Sequence, residues 1–193
     1  MIDILVLIGK TASGKDTISD ELIKRYGYKR IITYCTRPLR NGEVNGKTYH
    51  FINEDDFVNK VKDGFFAEFK TYNTKFGTWY YGTAIEDLEK ADSNSIIILT
   101  PDGYRDIVKI IYKKPISIYL YANDETIKKR LIKRGDNPEE AERRLSHDNS
   151  DFKGIENEVD KIVYNNDYTN IDDVIKEILE FVNQSKGDDK NRR

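Results

Sequence analysis

The sequence predicts an α/β fold of three layers, a parallel sheet between helices, interrupted by a small β-rich insertion. Three observations carry that prediction. Short apolar runs alternate with longer amphipathic segments along most of the 193 residues, the pattern of strands joined by crossover helices. The run Ile96-Ile97-Ile98-Leu99 is apolar at every position, as befits a strand covered on both faces. The first run, Ile2–Ile8, leads into Gly9-Lys10-Thr11-Ala12-Ser13-Gly14-Lys15-Asp16-Thr17 and then a helical pattern. Strand, Gly-x-x-x-x-Gly-Lys turn and helix form the layout of a phosphate-binding P-loop.

In chain order, strands are expected at 2–8, 29–34, 95–100, 116–121 and 160–164, and helices at 15–26, 103–112, 124–134, 138–150 and 171–184. Gly135-Asp136-Asn137-Pro138 separates two charged helices; Asp136 or Asn137 is the N-cap, with Pro138 at the first helical position. Between 36 and 83 glycines and aromatics crowd together. There Thr48–Ile52 and Phe65–Thr71 read as β-ribbon around a short helix near Asp55–Lys62, which makes 36–83 an insertion with its own small sheet.

Composition excludes several classes. With 34 acids against 32 bases the net charge is −2, so no bulk attraction to nucleic acid or anionic membrane is expected. The single cysteine, Cys35, excludes an intrachain disulfide and suits a reducing cytoplasm. The only histidines are His50 and His147, and nothing suggests that either pairs with it as a nucleophile. No apolar stretch approaches the ~20 residues of a membrane span, and the N-terminus reads as a strand rather than a signal peptide. The tail, 186–193, is expected to be frayed.

Residues 9–17 are the first candidate site. Backbone N–H groups of such a turn converge on one concavity, the helix N-terminus adds about half a positive charge, and the lysine reaches the outer phosphates. A nucleoside triphosphate is the implied ligand. The hydroxyl that normally follows the lysine and binds Mg²⁺ is replaced by Asp16, with Thr17 next. A carboxylate is a hard oxygen ligand suited to Mg²⁺, but beside polyphosphate it adds repulsion. Asp16 and Thr17 are the metal candidates.

The insertion holds a second candidate site. Arg37 and Arg40 flank Pro38-Leu39; two guanidinium forks on one turn suit a phosphate, the plainer alternative being solvated surface charge. Tyr49 and Tyr81 have hydroxyls to offer the same phosphate, unless they serve only as core. Glu68, amid Phe65-Phe66-Ala67-Glu68-Phe69, either accepts hydrogen bonds from the N1–H and N2 amino edge of a guanine or simply faces outward in alternation with Phe66. Arg130, Arg134, Arg143 and Arg144 bracket the Gly135–Pro138 turn. Their plainer reading is pairing with Glu139, Glu140 and Glu142 along the helix.

These motifs resemble the guanylate kinases. The P-loop, Thr36-Arg37 through Arg40-Asn41-Gly42-Glu43-Val44-Asn45-Gly46-Lys47-Thr48-Tyr49-His50-Phe51, Phe66-Ala67-Glu68, Tyr80-Tyr81-Gly82-Thr83, Arg130-Leu131…Arg134-Gly135, Arg143-Arg144-Leu145 and Asp160–Asp167 keep that family's order and near-family spacing. The resemblance implies one domain over 1–185: a P-loop kinase core (1–35, 84–123 and 155–185), a monophosphate-binding region (36–83) and a helical lid (124–154). It implies that the lid brings the charge of its arginines to the transferred phosphoryl group. It implies transfer of the ATP γ-phosphoryl, with Mg²⁺, to GMP or dGMP. Lys15, Arg134, Arg144 and Arg130 would be catalytic, with Arg143 as the alternative to Arg144 because the intervening segment is one residue short. Gly9 to Thr17 would hold ATP, and Asn165 would contact its adenine or merely form a turn. Arg37, Arg40, Tyr49 and Tyr81 would grip the acceptor phosphate, Thr33 and Thr83 would line its pocket, and Glu68 would read guanine. Thr100 stands where the family has a guanine-contacting aspartate, and Asp102 would replace that carboxylate only with a backbone shift. A cytoplasmic monomer or homodimer is expected. Two rivals follow: a related kinase with another acceptor, such as another deoxynucleotide or ribose 1,5-bisphosphate, and a non-catalytic protein-binding module, against which the intact Gly9, Gly14 and Lys15 argue.

Overall fold

The structure, a computed structural model, describes residues 4–191 except 41, 75–76 and 112–113. The ends of two expected elements (2–3 and 112), Asn41 and the last two tail residues therefore lie outside the described residues.

The core is a five-stranded sheet in the order β2-β7-β1-β8-β9, built from β1 (Leu5–Ile8), β2 (Lys29–Arg30), β7 (Ser95–Leu99), β8 (Ile116–Tyr121) and β9 (Lys161–Tyr164). Every pairing in it is parallel. Successive side chains of a strand point to opposite faces, so β1 supplies both layers. Leu5 and Leu7 pack with Ile18 and Leu22 of α1 (Lys15–Tyr26) and with Val174, Ile175 and Ile178 of α7 (Ile171–Asn191). Ile4, Val6 and Ile8 face the other way, onto Tyr104 and Ile107 of α4 (Pro101–Ile110) and onto Phe152 and Ile155.

A second sheet, β4-β3-β6-β5, stands on the insertion: β3 (Tyr34–Cys35), β4 (His50–Phe51), β5 (Phe66–Thr74) and β6 (Gly77–Ala84), with α2 (Glu54–Lys62) against it. The stretch 29–34, expected as one strand, is split. Lys29 and Arg30 pair with β7, whereas Tyr34 pairs with β4 and β6. The chain crosses between sheets at Ile31–Thr33, and Ile31 stays anchored through its N–H to the Ile96 carbonyl at 2.9 Å. The whole of β6 and the short helix α3 (Ile85–Glu89) were not expected.

The segment expected as a lid holds α5 (Asp124–Arg134) and α6 (Pro138–Asp151). Its small core of Ile127, Leu131 and Leu145 touches Ala12 of the P-loop, which couples lid packing to the loop. Of the two N-cap candidates Asn137 serves, accepting from the Glu140 N–H at 3.1 Å, while Asp136 pairs with Arg134. Helix α7 passes position 184, its expected end, and continues to Asn191 through most of the tail expected to be frayed.

Candidate active site

The P-loop follows β1 at the carboxyl edge of the parallel sheet, where open α/β sheets place their ligands. Its backbone leaves no room for side chains at the two glycines. A Cβ on Gly9 would lie 2.7 Å from the Leu120 carbonyl, and one on Gly14, whose φ is +100°, would lie 2.4 Å from Asn165 Nδ2. Ala12, between them, is also left-handed at φ 53°, a conformation that costs a non-glycine residue roughly 1–2 kcal/mol. The Lys15 ammonium bridges the loop, donating to the carbonyls of Gly9 at 2.6 Å and Lys10 at 2.8 Å. Burial lowers its pKa, against the opposing pull of Asp16 and Asp148.

Several expected contributors turn out to brace this loop from behind. Arg130 donates to the Ala12 and Ser13 carbonyls at 3.3 and 3.2 Å and pairs with Asp167. Asn165 donates to the Ser13 carbonyl at 2.8 Å. Neither lines the cleft between this loop and the insertion; both hold the loop by its carbonyls. Lys10 bonds to Asp124 and Asn149 of the lid. Asp16 pairs with Arg30 at 2.7 Å; burial raises its pKa, but Arg30 and Lys15 win and leave it lowered. Thr17 is exposed.

A contact the sequence did not signal comes from the lid. The Thr11 N–H donates to the Asp148 carboxylate at 2.6 Å, so a lid oxygen occupies a donor of the kind that holds phosphate oxygens in P-loops. Burial pushes the Asp148 carboxyl up.

One cleft of about 260 Å³ runs from this loop to the insertion, bringing Gly9, Thr11 and Lys15 together with Thr33, Arg40, Tyr49, Glu68, Tyr81 and Thr100. From the lid, Arg143 and Arg144 enter it. Both are tied to Glu140, at 2.9 and 2.8 Å. Hydrogen bonds from Arg143 and then Arg144 overcome the opposing effect of burial and draw that carboxyl down to about 2. The intrahelical pairing foreseen for these arginines is thus real, and it aims them without removing them from the cleft. Arg134 lines an adjoining hollow of about 650 Å³ with Arg40, Asp16 and Arg30, its guanidinium held by Asp136.

In the insertion, Arg37 is buried and bidentate on Glu43, with a further bond to the Pro38 carbonyl at 2.9 Å. Its guanidinium lies 5.2 Å from the Tyr49 ring centre and 5.4 Å from that of Phe51, within cation–π range. Arg37 does not line the cleft; it backs the tyrosine wall. Arg40 is exposed, with no ion-pair partner among the described residues. Desolvation and the neighbouring guanidiniums of Arg37, Arg144 and Arg134 lower its pKa. Burial raises the phenols of Tyr49 and Tyr81, which keeps both as O–H donors.

Glu68 sits beside a bulge in β5 and is 9 % exposed, not outward-facing. Its Oε1 accepts from the Thr83 hydroxyl at 2.6 Å, and burial raises its pKa. Thr100 follows β7 and caps α4, its Oγ1 accepting from the Gly103 N–H at 3.2 Å. Asp102 turns away to Arg105 at 2.7 Å, so it does not replace the missing carboxylate. Sequence reasoning overlooked Glu43, Tyr72 and Asp148. A signal existed for Glu43, an acid six residues from Arg37.

A P-loop on a parallel sheet, a facing arginine–tyrosine pocket and a lid carrying arginines define a P-loop nucleoside monophosphate kinase. The comparisons agree. The family model for guanylate kinase matches residues 1–185. The guanylate kinase of Clostridium tetani is 30% identical over 185 residues, covering 95% of this chain and 86% of that protein. That of Sulfurimonas denitrificans is 35% identical over 149 residues, 74% of this chain and 70% of the relative. A crystal structure of guanylate kinase from Anaplasma phagocytophilum superposes with a TM-score of 0.70 at 20% identity, over 95% of this chain and 86% of that one. The chain belongs to the guanylate kinase family, and is thus an ATP-dependent nucleoside monophosphate kinase.

Proposed function

We propose that this protein transfers the γ-phosphoryl of MgATP to GMP or dGMP, giving GDP or dGDP and ADP. The observation that carries the assignment is the single cleft holding Lys15, Arg40, Tyr81 and Glu68 together. An acceptor phosphate oxygen attacks the γ-phosphorus, and the bond to the β,γ-bridging oxygen breaks. The acceptor phosphate is already ionised, so no general base is needed, and catalysis is positioning plus charge stabilisation.

Lys15 exchanges the loop carbonyls for the donor's outer phosphates. Arg40, Tyr49 and Tyr81 hold the acceptor phosphate, with Arg37 stiffening the clamp. Arg144, Arg143 and Arg134 stabilise charge on the transferring group, and Arg130 and Asn165 keep the loop in shape. Thr33 and Thr83 line the acceptor pocket, and Glu68 accepts from the base edge. No cluster of three metal-ligating side chains occurs among the described residues, which fits a magnesium ion that arrives on the nucleotide and is completed by water. Asp16, which Arg30 already pairs, and Thr17 beside it are the residues we assign to the ion or its waters, and the ion would offset phosphate charge. No described helix is long and apolar enough to cross a membrane; we place the enzyme in the cytoplasm, as a monomer or homodimer, without nucleic-acid partners. The test is ADP release with each common nucleoside monophosphate and with ribose 1,5-bisphosphate at fixed MgATP. Turnover should be fastest with GMP or dGMP; faster turnover with the sugar phosphate, or none with any acceptor, overturns the assignment.

A further inference from the structure

The base end of the cleft holds a polar group that the proposed reaction has not used. Tyr72 of β5 lies in the cleft with Glu68 and Thr100, its ring edge-on to Tyr81 at 5.6 Å and to His147 of the lid at 6.1 Å. Its phenol and the Thr100 hydroxyl line the same cleft. Thr100 Oγ1 and Glu68 Oε2 converge on one spot, at 3.3 and 3.4 Å from a Cβ built on Gly103. Two other carboxylates nearby are engaged elsewhere, Asp102 with Arg105 at 2.7 Å and Asp151 with His147 Nδ1 at 2.8 Å. At this end of the cleft Glu68 is a carboxylate with no ion-pair partner among the described residues, beside two neutral hydroxyls.

The chemistry of that set is asymmetric. A carboxylate only accepts, and demands a donor such as the N1–H of a 6-oxopurine; adenine's unprotonated N1 cannot satisfy it. A hydroxyl rotates and either donates or accepts, so it tolerates the presence or absence of a 2-amino group. A neutral hydrogen bond is worth a factor of about two to ten, a charge-assisted one about ten to a hundred.

We infer that Tyr72 is a specificity-determining residue: its hydroxyl and that of Thr100 form a neutral pair at the purine 2-position, so the enzyme phosphorylates 6-oxopurine monophosphates, hypoxanthine as well as guanine. The inference rests on the kinase assignment above and refines its acceptor. The experiment compares kcat/KM for GMP, IMP and AMP at saturating MgATP in the wild type and in Tyr72→Phe and Thr100→Asp. IMP should lie within about tenfold of GMP, with AMP far below both. Tyr72→Phe should shift the GMP-to-IMP ratio at least threefold while the KM for ATP stays put, a readout that a merely structural role would not move. Thr100→Asp, which installs a second acceptor-only group, should widen the ratio at least tenfold. A wild-type preference for GMP above tenfold, or a ratio unmoved by Tyr72→Phe, overturns the inference while leaving a GMP kinase intact. No turnover with any monophosphate would instead overturn the kinase assignment itself.

Discussion

The donor loop and the acceptor clamp share one cleft but are built on opposite plans. The donor loop is a short run of backbone, Gly9 to Gly14, shaped by two positions where a Cβ does not fit and by a left-handed Ala12. The clamp is a set of side chains from separate segments of the insertion: Arg37 and Arg40 after β3, Tyr49 before β4, Glu68 and Tyr72 on β5, Tyr81 and Thr83 on β6. They also rest differently. Lys15 is bonded to carbonyls of its own loop and the Thr11 N–H to the lid's Asp148, partners that a phosphate can displace. Arg37 is locked onto Glu43, whereas Arg40 is exposed beside other guanidiniums. A backbone cradle separates binding from stability; a side-chain clamp entangles the two.

The sharpest way to break that contrast is Lys15→Ala. It should lower kcat by about 10²–10³, the scale of a lost electrostatic stabiliser, with GMP affinity and thermal midpoint nearly unchanged. Equal turnover in a coupled ADP-release assay refutes the role.

Next comes the pair Arg37→Met and Arg40→Met. Both should raise the KM for GMP about tenfold. Only the first should destabilise the fold, by about 3 kcal/mol, because it strands the Glu43 carboxylate in a half-buried site. Equal unfolding midpoints for the two variants would mean the clamp is no more entangled with the fold than the loop is.

Asp148→Asn probes the lid contact. Replacing a charge-assisted bond to the Thr11 N–H by a neutral one weakens the competitor by about 1 kcal/mol. ATP binding without GMP should tighten about fivefold by calorimetry; weaker binding would show that Asp148 helps the donor.

The smallest effect is on pH. Burial raises the Glu68 pKa above the ordinary carboxylate value, and binding needs the ionised form. The KM for GMP should therefore rise as pH falls, beginning above the usual carboxylate range. Glu68→Gln, although weaker at every pH, should lose that acid limb; an unchanged limb assigns it to another group, Asp148 being the next raised carboxyl.

Legibility in the sequence followed how local the determinants are. Helix α1 spans 15–26 as the periodicity predicts, and α2, α5 and α6 differ from expectation by a residue or less at either end, since caps and periodicity lie within a few residues of one another. Strand β6 escaped because Trp79-Tyr80-Tyr81 has no period-two alternation and glycines stand at 77 and 82; its pairing with β5 decides it. The 29–34 run looked continuous, yet its two ends belong to different sheets, a choice no local propensity encodes. Arg130 and Asn165 were sensed as functional, but their bonds to loop carbonyls join residues more than a hundred positions apart.

By itself the chain's order of residues determined the α/β class, the phosphate loop and the identity of the charged groups, because these depend on neighbours, spacing and glycine stereochemistry. Tertiary structure alone decided which arginine is buried and which is open, that Asp148 reaches the Thr11 N–H, and that Tyr72 and Thr100 line one cleft with Glu68. Those outcomes depend on burial and on distances between segments remote in sequence, and electrostatic and hydrogen-bond energies take their magnitude from that burial.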